Sequence, residues 1–421
     1  MAERRSSATL LVQLASPDGI WHSVGILRHR NEITWFETLR EYWETPHRPV
    51  LGQIFEERGP TWTPSQRVAL PNWFSHLLPE GRLRTAVSAA AGVNPKREFF
   101  LFRRIGADDL PGALRTRHVD NGDNGQVTVP ELAGAEEAGP EPDDPLLKFS
   151  LAGVQLKFSV RLDAQKGLTI PARGQAGDWI LKLPDGRPGF DGVPEAEFGS
   201  LALAREAGIV VPETRLVPPT DVRGLPAWAT DVVGDAFAIR RFDRADEGRV
   251  HVEELAQVLD IPTGSDRAKY RRANFETIAV LVGALCGQAA VGEVIDRIVL
   301  NVLVGNGDAH VKNWAVTYPN GRTPQLSPAY DIIPTVLFIP GDDLGLKLND
   351  SRAFEEVTTS SFDRLAVRAG WSVGDARTRV VEATQNVLDN WPTLADFLTR
   401  GRYKRLTERL GHLALSRAVR R

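Results

Sequence analysis

Apolar residues near the start come in two short runs, Leu10-Leu-Val-Gln-Leu14 and Trp21-His-Ser-Val-Gly-Ile-Leu27, around the turn-forming Ser16-Pro-Asp-Gly19. That pattern predicts a β-hairpin. A helical stretch is predicted from Pro71-Asn-Trp-Phe-Ser-His-Leu-Leu78 through the alanine-rich Thr85–Ala91. Leu147–Ser150, Gln155–Leu162 and Asp178–Leu183 predict strands, the first two flanking a small-residue turn. From Glu195 to Gly208 the spacing becomes helical: Phe198, Leu201, Leu203 and Ala204 form an apolar face, and Gly208 stands where a C-cap belongs. Ala236–Phe242 predicts another strand, and from His251 onward the pattern is mainly helical. Between these regions, residues 131–145 are rich in proline, glycine and acid with no apolar period, which predicts a solvated linker. The predicted units are therefore 1–130, the linker 131–145, a sheet-rich lobe 146–244 and a helical lobe 245–421, with no internal repeat.

The uncharged stretch Thr277–Gly292 is shorter than the ~20 residues that cross a bilayer, and is predicted to be a core helix. Met1–Ser7 is charged and no apolar run of signal-peptide type follows it, so a cytoplasmic protein without a membrane segment is expected. At 421 residues, 42% of them hydrophobic and 25% charged, the chain can bury a sizeable core. A net charge of −3 argues against stand-alone nucleic-acid binding. The single cysteine, Cys286, rules out an internal disulfide framework and has no activating charge beside it, so a structural thiol is expected.

Candidate chemistry concentrates in Leu303-Val-Gly-Asn-Gly-Asp-Ala-His-Val-Lys-Asn-Trp-Ala-Val316. A helical apolar run, Val294–Val304, precedes it, and Gly305 and Gly307 can end that helix in a tight loop. Asp308 and Asn313 on this loop have the D-x-x-x-x-N spacing of a kinase catalytic loop. There the aspartate accepts the proton of the attacking hydroxyl, and the asparagine carbonyl is a hard ligand for magnesium. A second carboxylate for the metal follows at Asp331, where Ile332-Ile333 replaces the usual Phe-Gly. Upstream, Lys182 on a strand could hold the phosphates, with Glu197 on the next helix to orient it. The loop Ser150–Lys157 carries the small residues Ala152 and Gly153, which let backbone N–H groups approach anionic oxygens.

Singly, each residue has a plainer reading. Asn306-Gly-Asp308 alone is a turn, Lys182 an edge-strand charge, Glu197 a solvated helix residue and Asp331 a cap. His310 is equally a packed loop residue or a phosphate contact. Their order changes the weighing: loop, lysine, glutamate, Asp-x4-Asn and aspartate follow one another as in a kinase. Other catalytic plans lack their motifs. No G-x-x-x-x-G-K-[ST] or H-E-x-x-H occurs, and His251-Val-Glu253 has no P-C-x-x-C with it.

Together the residues resemble the HipA family of bacterial toxin kinases. Ser150-Leu-Ala-Gly-Val-Gln-Leu-Lys157 is similar to the family's S-x-A-G-x-Q-x-K, and Asn306–Asn313 to its D-x-H-x-K-N loop. Tyr330-Asp-Ile-Ile333 matches its metal segment, and Leu77-Leu-Pro-Glu-Gly81 and Ile105–Ala113 resemble its N-terminal subdomain. The resemblance implies an α+β, kinase-like two-lobed fold with a mainly helical C-terminal lobe. It further implies ATP among Ala152, Gly153, Val154, Gln155, Lys157, Lys182, Glu197, Arg240, Phe242, His310, Lys312, Asn313 and Asp331, magnesium on Asn313 and Asp331, Asp308 as base and autophosphorylation at Ser150. Family members often carry glutamate at the Arg240 position and sometimes a second serine where Ala152 stands. The implied partners are a HipB-like helix-turn-helix antitoxin, operator DNA only through it, and a translation protein such as an aminoacyl-tRNA synthetase as substrate. A non-catalytic antitoxin-binding co-repressor and a lipid or small-molecule kinase are the alternatives. The basic tail, Arg400–Leu410 onward, is either a solvated amphipathic helix or a contact to DNA phosphates.

Overall fold

The structure is a computed structural model describing residues 8–106, 109–119, 157–163, 167–171, 176–230, 232–245, 248–265 and 267–419. The predicted first hairpin is present, as β1 (Ala8–Ala15) and β2 (Trp21–Arg30), joined across the Ser16–Gly19 turn by Gly19 N–H to Ser16 O at 2.9 Å. With β3 (Ile33–Thr38), β4 (Ser65–Arg67) and β5 (Leu114–His118) they build an antiparallel sheet ordered β4-β3-β2-β1-β5. Strand β1 is buried along its whole length because it pairs on both edges, with β2 and with β5. Five short helices join this region: α1 (Arg40–Glu44), α2 (Gln53–Arg58), α3 (Asn72–Ser75), α4 (Gly81–Ala90) and α5 (Glu98–Ile105). The helical stretch expected over 71–91 is thus divided into α3 and α4. Pro79 cannot donate to a helical ladder and disfavours helical backbone at Leu78. Glu80 follows in an extended conformation, with φ −115° and ψ 167°, before α4 restarts.

A second antiparallel sheet is ordered β7-β6-β8-β10-β9, from β6 (Lys157–Leu162), β7 (Leu168–Thr169), β8 (Trp179–Lys182), β9 (Thr214–Val217) and β10 (Ala236–Arg240). Its strands alternate two environments, as a period of two requires. Trp179, Leu181, Ala236 and Ala238 join the N-terminal core around Phe36, Trp73 and Phe74. Ile180, Phe237 and Ile239 face the other way, onto the helical core. Lys182 shares the side of Ile180. The predicted strand Leu147–Ser150 lies outside the described residues, as does the linker 131–145.

Helix α6 (Val193–Glu206) starts two residues before the expected Glu195, with proline in its first turn. It ends as predicted: Gly208 has φ 87°, its N–H reaches Arg205 O, and Ile209 N–H reaches Ala204 O. Helix α7 (Ala227–Thr230) follows. Strand β10 stops two residues short of the expected Phe242. The chain there enters a buried ion cluster, in which Arg241 contacts Asp109 and Asp243 at 2.8 Å each and Arg244 contacts Asp109 at 2.8 Å. That cluster ties the N-terminal region to the second sheet.

The remaining chain adds the small ladder β11 (Arg244–Ala245) and β12 (Gly248–Arg249), then β13 (His251–Glu254), α8 (Leu255–Val258) and α9 (Ala268–Arg271). The helices α10 (Phe275–Cys286) and α11 (Ala289–Val304) precede β14 (Ala315–Tyr318) and β15 (Gln325–Leu326). Finally come α12 (Asp363–Ala369), α13 (Val373–Asp389), α14 (Arg400–Leu410) and α15 (Ala414–Val419). The region is helical as expected, except for a three-stranded sheet ordered β13-β14-β15. The single helix expected over Thr277–Gly292 is two helices, because Gly287 adopts φ 90° between α10 and α11. Cys286 ends α10 half-buried, and burial pushes its thiol up to about 12, in keeping with a structural role. Among the described residues no helix is long and apolar enough to cross a membrane.

Helix α11 is the hub of the helical core: Val294, Ile295, Ile298, Val299, Leu300, Val302, Leu303 and Val304 are all fully buried. Its end is fixed twice. Gly305 takes the left-handed conformation, φ 76°, and the Arg409 guanidinium of α14 donates to the carbonyls of Val302 and Leu303 at 3.1 and 2.9 Å. The start of the basic tail, α14, is an amphipathic helix with Leu406 and Leu410 buried and Arg409 capping the hub.

Candidate active site

Immediately after α11, the loop carrying Asp308 is held by its own short side chains. Asn306 donates to Asn301 Oδ1 at 2.9 Å and accepts from Asp308 N–H at 3.0 Å. Gly307 N–H donates to Thr335 Oγ1 at 2.7 Å. A Cβ on Gly307 would overlap the Asp342 carboxylate and the Asp343 carbonyl, so only glycine fits beside Asp308. Asn313 donates its side-chain amide to the Asp308 carbonyl at 2.8 Å, which leaves Oδ1 as the acceptor of that side chain. The Tyr330 hydroxyl bonds Lys312 O at 2.9 Å and ties the Asp331 segment to this loop.

A cavity of about 260 Å³ opens where the second sheet meets this loop. Lys157, Lys182, Arg240, Phe242, Asp308, His310, Lys312, Asn313 and Asp331 all line it. The Lys182 ammonium lies 2.6 Å from Glu197 Oε1 and 2.6 Å from Asp331 Oδ1, bridging helix, strand and loop. Glu197 is fully buried on the α6 face that packs on the sheet. Asp331 holds a left-handed backbone, φ 58°, a conformation aspartate tolerates better than most residues.

Burial works against charge at Asp331, but the Lys182 and Lys157 ammoniums override it and hold the carboxyl well below the usual carboxylate range. Burial raises the Glu197 carboxyl, with Lys182 opposing it. Lys182 itself is held above the usual lysine range: burial lowers it, and the two carboxylates more than compensate. The arrangement is thus an ammonium fixed between two acids, one of them, Asp331, firmly ionised. Asp308 differs, since its side chain is 45% exposed and points into the cavity. The surrounding protein shifts its carboxyl upward, moderated by a hydrogen bond from the Tyr270 hydroxyl. His310 is buried, and burial lowers it to about 3, so it is a neutral ring packed edge-on against Tyr270 at 5.0 Å.

The sequence profile of the HipA-like C-terminal domain matches residues 149–391, and that of the HipA N-terminal domain matches residues 21–117. The chain belongs to the HipA family. A relative from Sinorhizobium fredii, named "Putative kinase Y4dM", is 45% identical over 71% of this HipA-family chain and 70% of its own length. A second from the same organism, "Putative kinase Y4mE", is 28% identical over 77% of this chain and 78% of its own. Among solved structures, a chain of the Shewanella oneidensis MR-1 complex of HipA, HipB and operator DNA superposes with a TM-score of 0.67. That match covers 97% of this chain and 96% of the other at 17% identity, and shows the shared α+β HipA fold.

Within this HipA-family cleft, the candidates from Lys157 to Asp331 converge, with Glu197 joined through Lys182. Ser150, Ala152, Gly153, Val154 and Gln155 lie outside the described residues. Arg240 lies at the rim with its side chain half-exposed, and its backbone N–H is taken by Glu213 O at 2.8 Å. The Phe242 ring packs near Tyr330 at 5.5 Å on the cavity wall. Four residues that the sequence did not single out also belong to the cleft: Glu80, Glu254, Lys269 and Tyr270. Lys312 contacts Glu80 at 2.5 Å and Glu254 at 3.6 Å, and Lys269 contacts Glu80 at 3.5 Å. Burial raises Glu254 to about 7, with Lys312 opposing. Glu80 was visible only as part of the Leu-Leu-Pro-Glu-Gly motif, and the other three carry no local pattern at all.

Proposed function

We propose that the chain is an ATP- and magnesium-dependent serine/threonine-protein kinase acting as a HipA-like toxin. The observation that carries this reading is the bridged Lys182, held between Glu197 and Asp331 in the cavity that Asp308 also faces. In phosphoryl transfer such a lysine orients phosphates, and the positioned charges supply most of the catalysis. Asp308 is the base: it takes the proton of the acceptor hydroxyl as the new O–P bond forms and the bond to the leaving ADP breaks. Asn313 Oδ1 and one oxygen of Asp331 would hold magnesium, which supplies charge neutralisation on the phosphates when bound. The donor chemistry fits, because nucleotide-bound magnesium asks for only one or two protein oxygens. Phe242 and the backbone near Arg240 form the wall suited to an adenine ring, and Lys157 and Lys312 add positive charge.

Ser150 is the proposed autophosphorylation site, on the loop continued by Ala152, Gly153, Val154 and Gln155. The solved relative of the same fold assembles with HipB and operator DNA, and a HipB-like antitoxin is proposed here too, with DNA reached through it. An aminoacyl-tRNA synthetase is the proposed class of target. The division into 1–130, 131–145, 146–244 and 245–421 belongs to the same reading.

Purified protein given labelled ATP and magnesium is expected to label itself at Ser150, with Asp308→Asn abolishing the label. Absence of transfer to itself and to every protein of a lysate would overturn the reading.

A further inference from the structure

Beside the cleft, on the far side of α9, lies a groove of about 670 Å³. Its cations are Arg267, Arg271, Arg272, Lys347 and Arg352, and among the described residues lining it none is acidic. In a chain of net charge −3, this is a local concentration of one sign. Arg352 is fixed, donating to the Tyr270 carbonyl at 2.7 Å and lying 3.9 Å from Asp343. Arg267, Arg271 and Arg272 are exposed and make no ion pair among the described residues.

Tyr270 joins this groove to the cleft. It lines the groove, yet its hydroxyl donates to Asp308 Oδ1, the carboxylate proposed to receive an acceptor hydroxyl. The tyrosine O–H therefore occupies the hydrogen-bonding position that a serine or threonine O–H would take. A chain that replaces it at Asp308 has this groove beside it, with Arg267, Arg271 and Arg272 exposed along the way.

We propose that this groove docks an acidic peptide segment flanking the phosphorylated hydroxyl, so that the substrate class is a serine or threonine beside aspartates and glutamates. The proposal rests on the kinase reading of the cleft. A single-stranded nucleic acid fits less well. Such ligands use aromatic stacking platforms, and among the described residues lining the groove Tyr270 is the one aromatic, its ring packed on His310. An acidic peptide asks only for charge, which the groove supplies.

The test uses the full chain and three fluorescent probes: a serine peptide flanked by Asp/Glu, the same peptide flanked by Lys/Arg, and a single-stranded oligonucleotide. Binding is read by anisotropy at low and high salt, and a fluorescent ATP analogue is titrated in parallel. The acidic peptide is expected to bind at least about ten-fold tighter than the basic one, with the advantage shrinking in salt. Arg271→Glu with Arg272→Glu should remove that preference and leave ATP-analogue affinity unchanged, while Arg405→Glu on α14 should alter neither. Charge-blind peptide binding, or preference intact in the double variant, overturns the proposal. Tighter oligonucleotide binding that the same variant abolishes also overturns it, in favour of nucleic acid. If the acidic peptide binds through Arg271 and Arg272 but no ATP analogue binds, the groove stands and the kinase reading fails.

Discussion

The ammonium of Lys312 lies 2.5 Å from Glu80 Oε1, although 232 residues separate them. Lys312 belongs to the loop between Asp308 and Asn313, and Glu80 to the extended break between α3 and α4. The N-terminal region therefore braces the candidate catalytic loop directly. Burial works against the Glu80 charge, but Lys312 and Lys269 hold its carboxyl well below the usual range.

Glu80→Gln should loosen that brace without touching the nucleotide wall. The turnover of labelled phosphate is expected to fall on the order of ten-fold or more, since small misplacements of catalytic groups are costly. Affinity for an ATP analogue should stay near wild type. Equal loss of both would show that Glu80 supports the whole cleft rather than its loop.

Lys182→Ala removes the bridge and leaves Glu197 buried without its cation. Phosphoryl transfer should be lost. Breaking a buried pair on one side should also cost about 3–5 kcal/mol of stability, read as a lower denaturant midpoint. The double change Lys182→Met with Glu197→Leu should restore much of the stability and none of the transfer.

Tyr270→Phe deletes the hydroxyl that stabilises the Asp308 carboxylate. That bond lowers the Asp308 carboxyl, so its loss should raise it. The acid limb of the pH–rate profile, where the base loses activity by protonation, should move to higher pH. An unchanged limb would mean that another group sets the profile.

Acid should weaken the fold through two buried histidines. His76 and His251 donate through Nε2–H to the carbonyls of Ile261 and Leu51 at 2.8 Å each, and their Nδ1 atoms are buried without a partner among the described residues. Burial lowers His76 to about 3 and His251 to about 4, against 6.5 for the ordinary group. Their contribution is therefore complete above about pH 6.5 and is lost as pH falls toward those lower values, because the unfolded chain takes up the protons. Each should add up to about 1.4 kcal/mol per pH unit in that window. Urea midpoints from pH 7.5 down to about 5 should show the slope, and His251→Gln should reduce it by one proton.

Local chemistry was legible without coordinates. The hairpin followed from its Pro-Asp-Gly turn, the end of α6 from Gly208, and the loop from Asp308 and Asn313 after a glycine-terminated helix. Lys182 and Glu197 could be paired in advance because a kinase-like order of groups asks for a strand lysine followed by a helix glutamate. The helix boundaries failed where a single backbone decision outweighed periodicity: Pro79 divided 71–91, and Gly287 divided 277–292.

Contacts across long separations left no such trace. Glu80, Lys269 and Tyr270 enter the cleft, Arg409 caps α11, and Arg241 meets Asp109, yet none of these pairs is encoded by spacing. The sequence by itself determined the local elements, the family and the order of the candidate groups, because turn chemistry and side-chain period act between near neighbours. Only the tertiary structure decided which distant charges share a cleft. A buried ammonium takes whichever carboxylate packing brings within reach, and that choice depends on the whole fold.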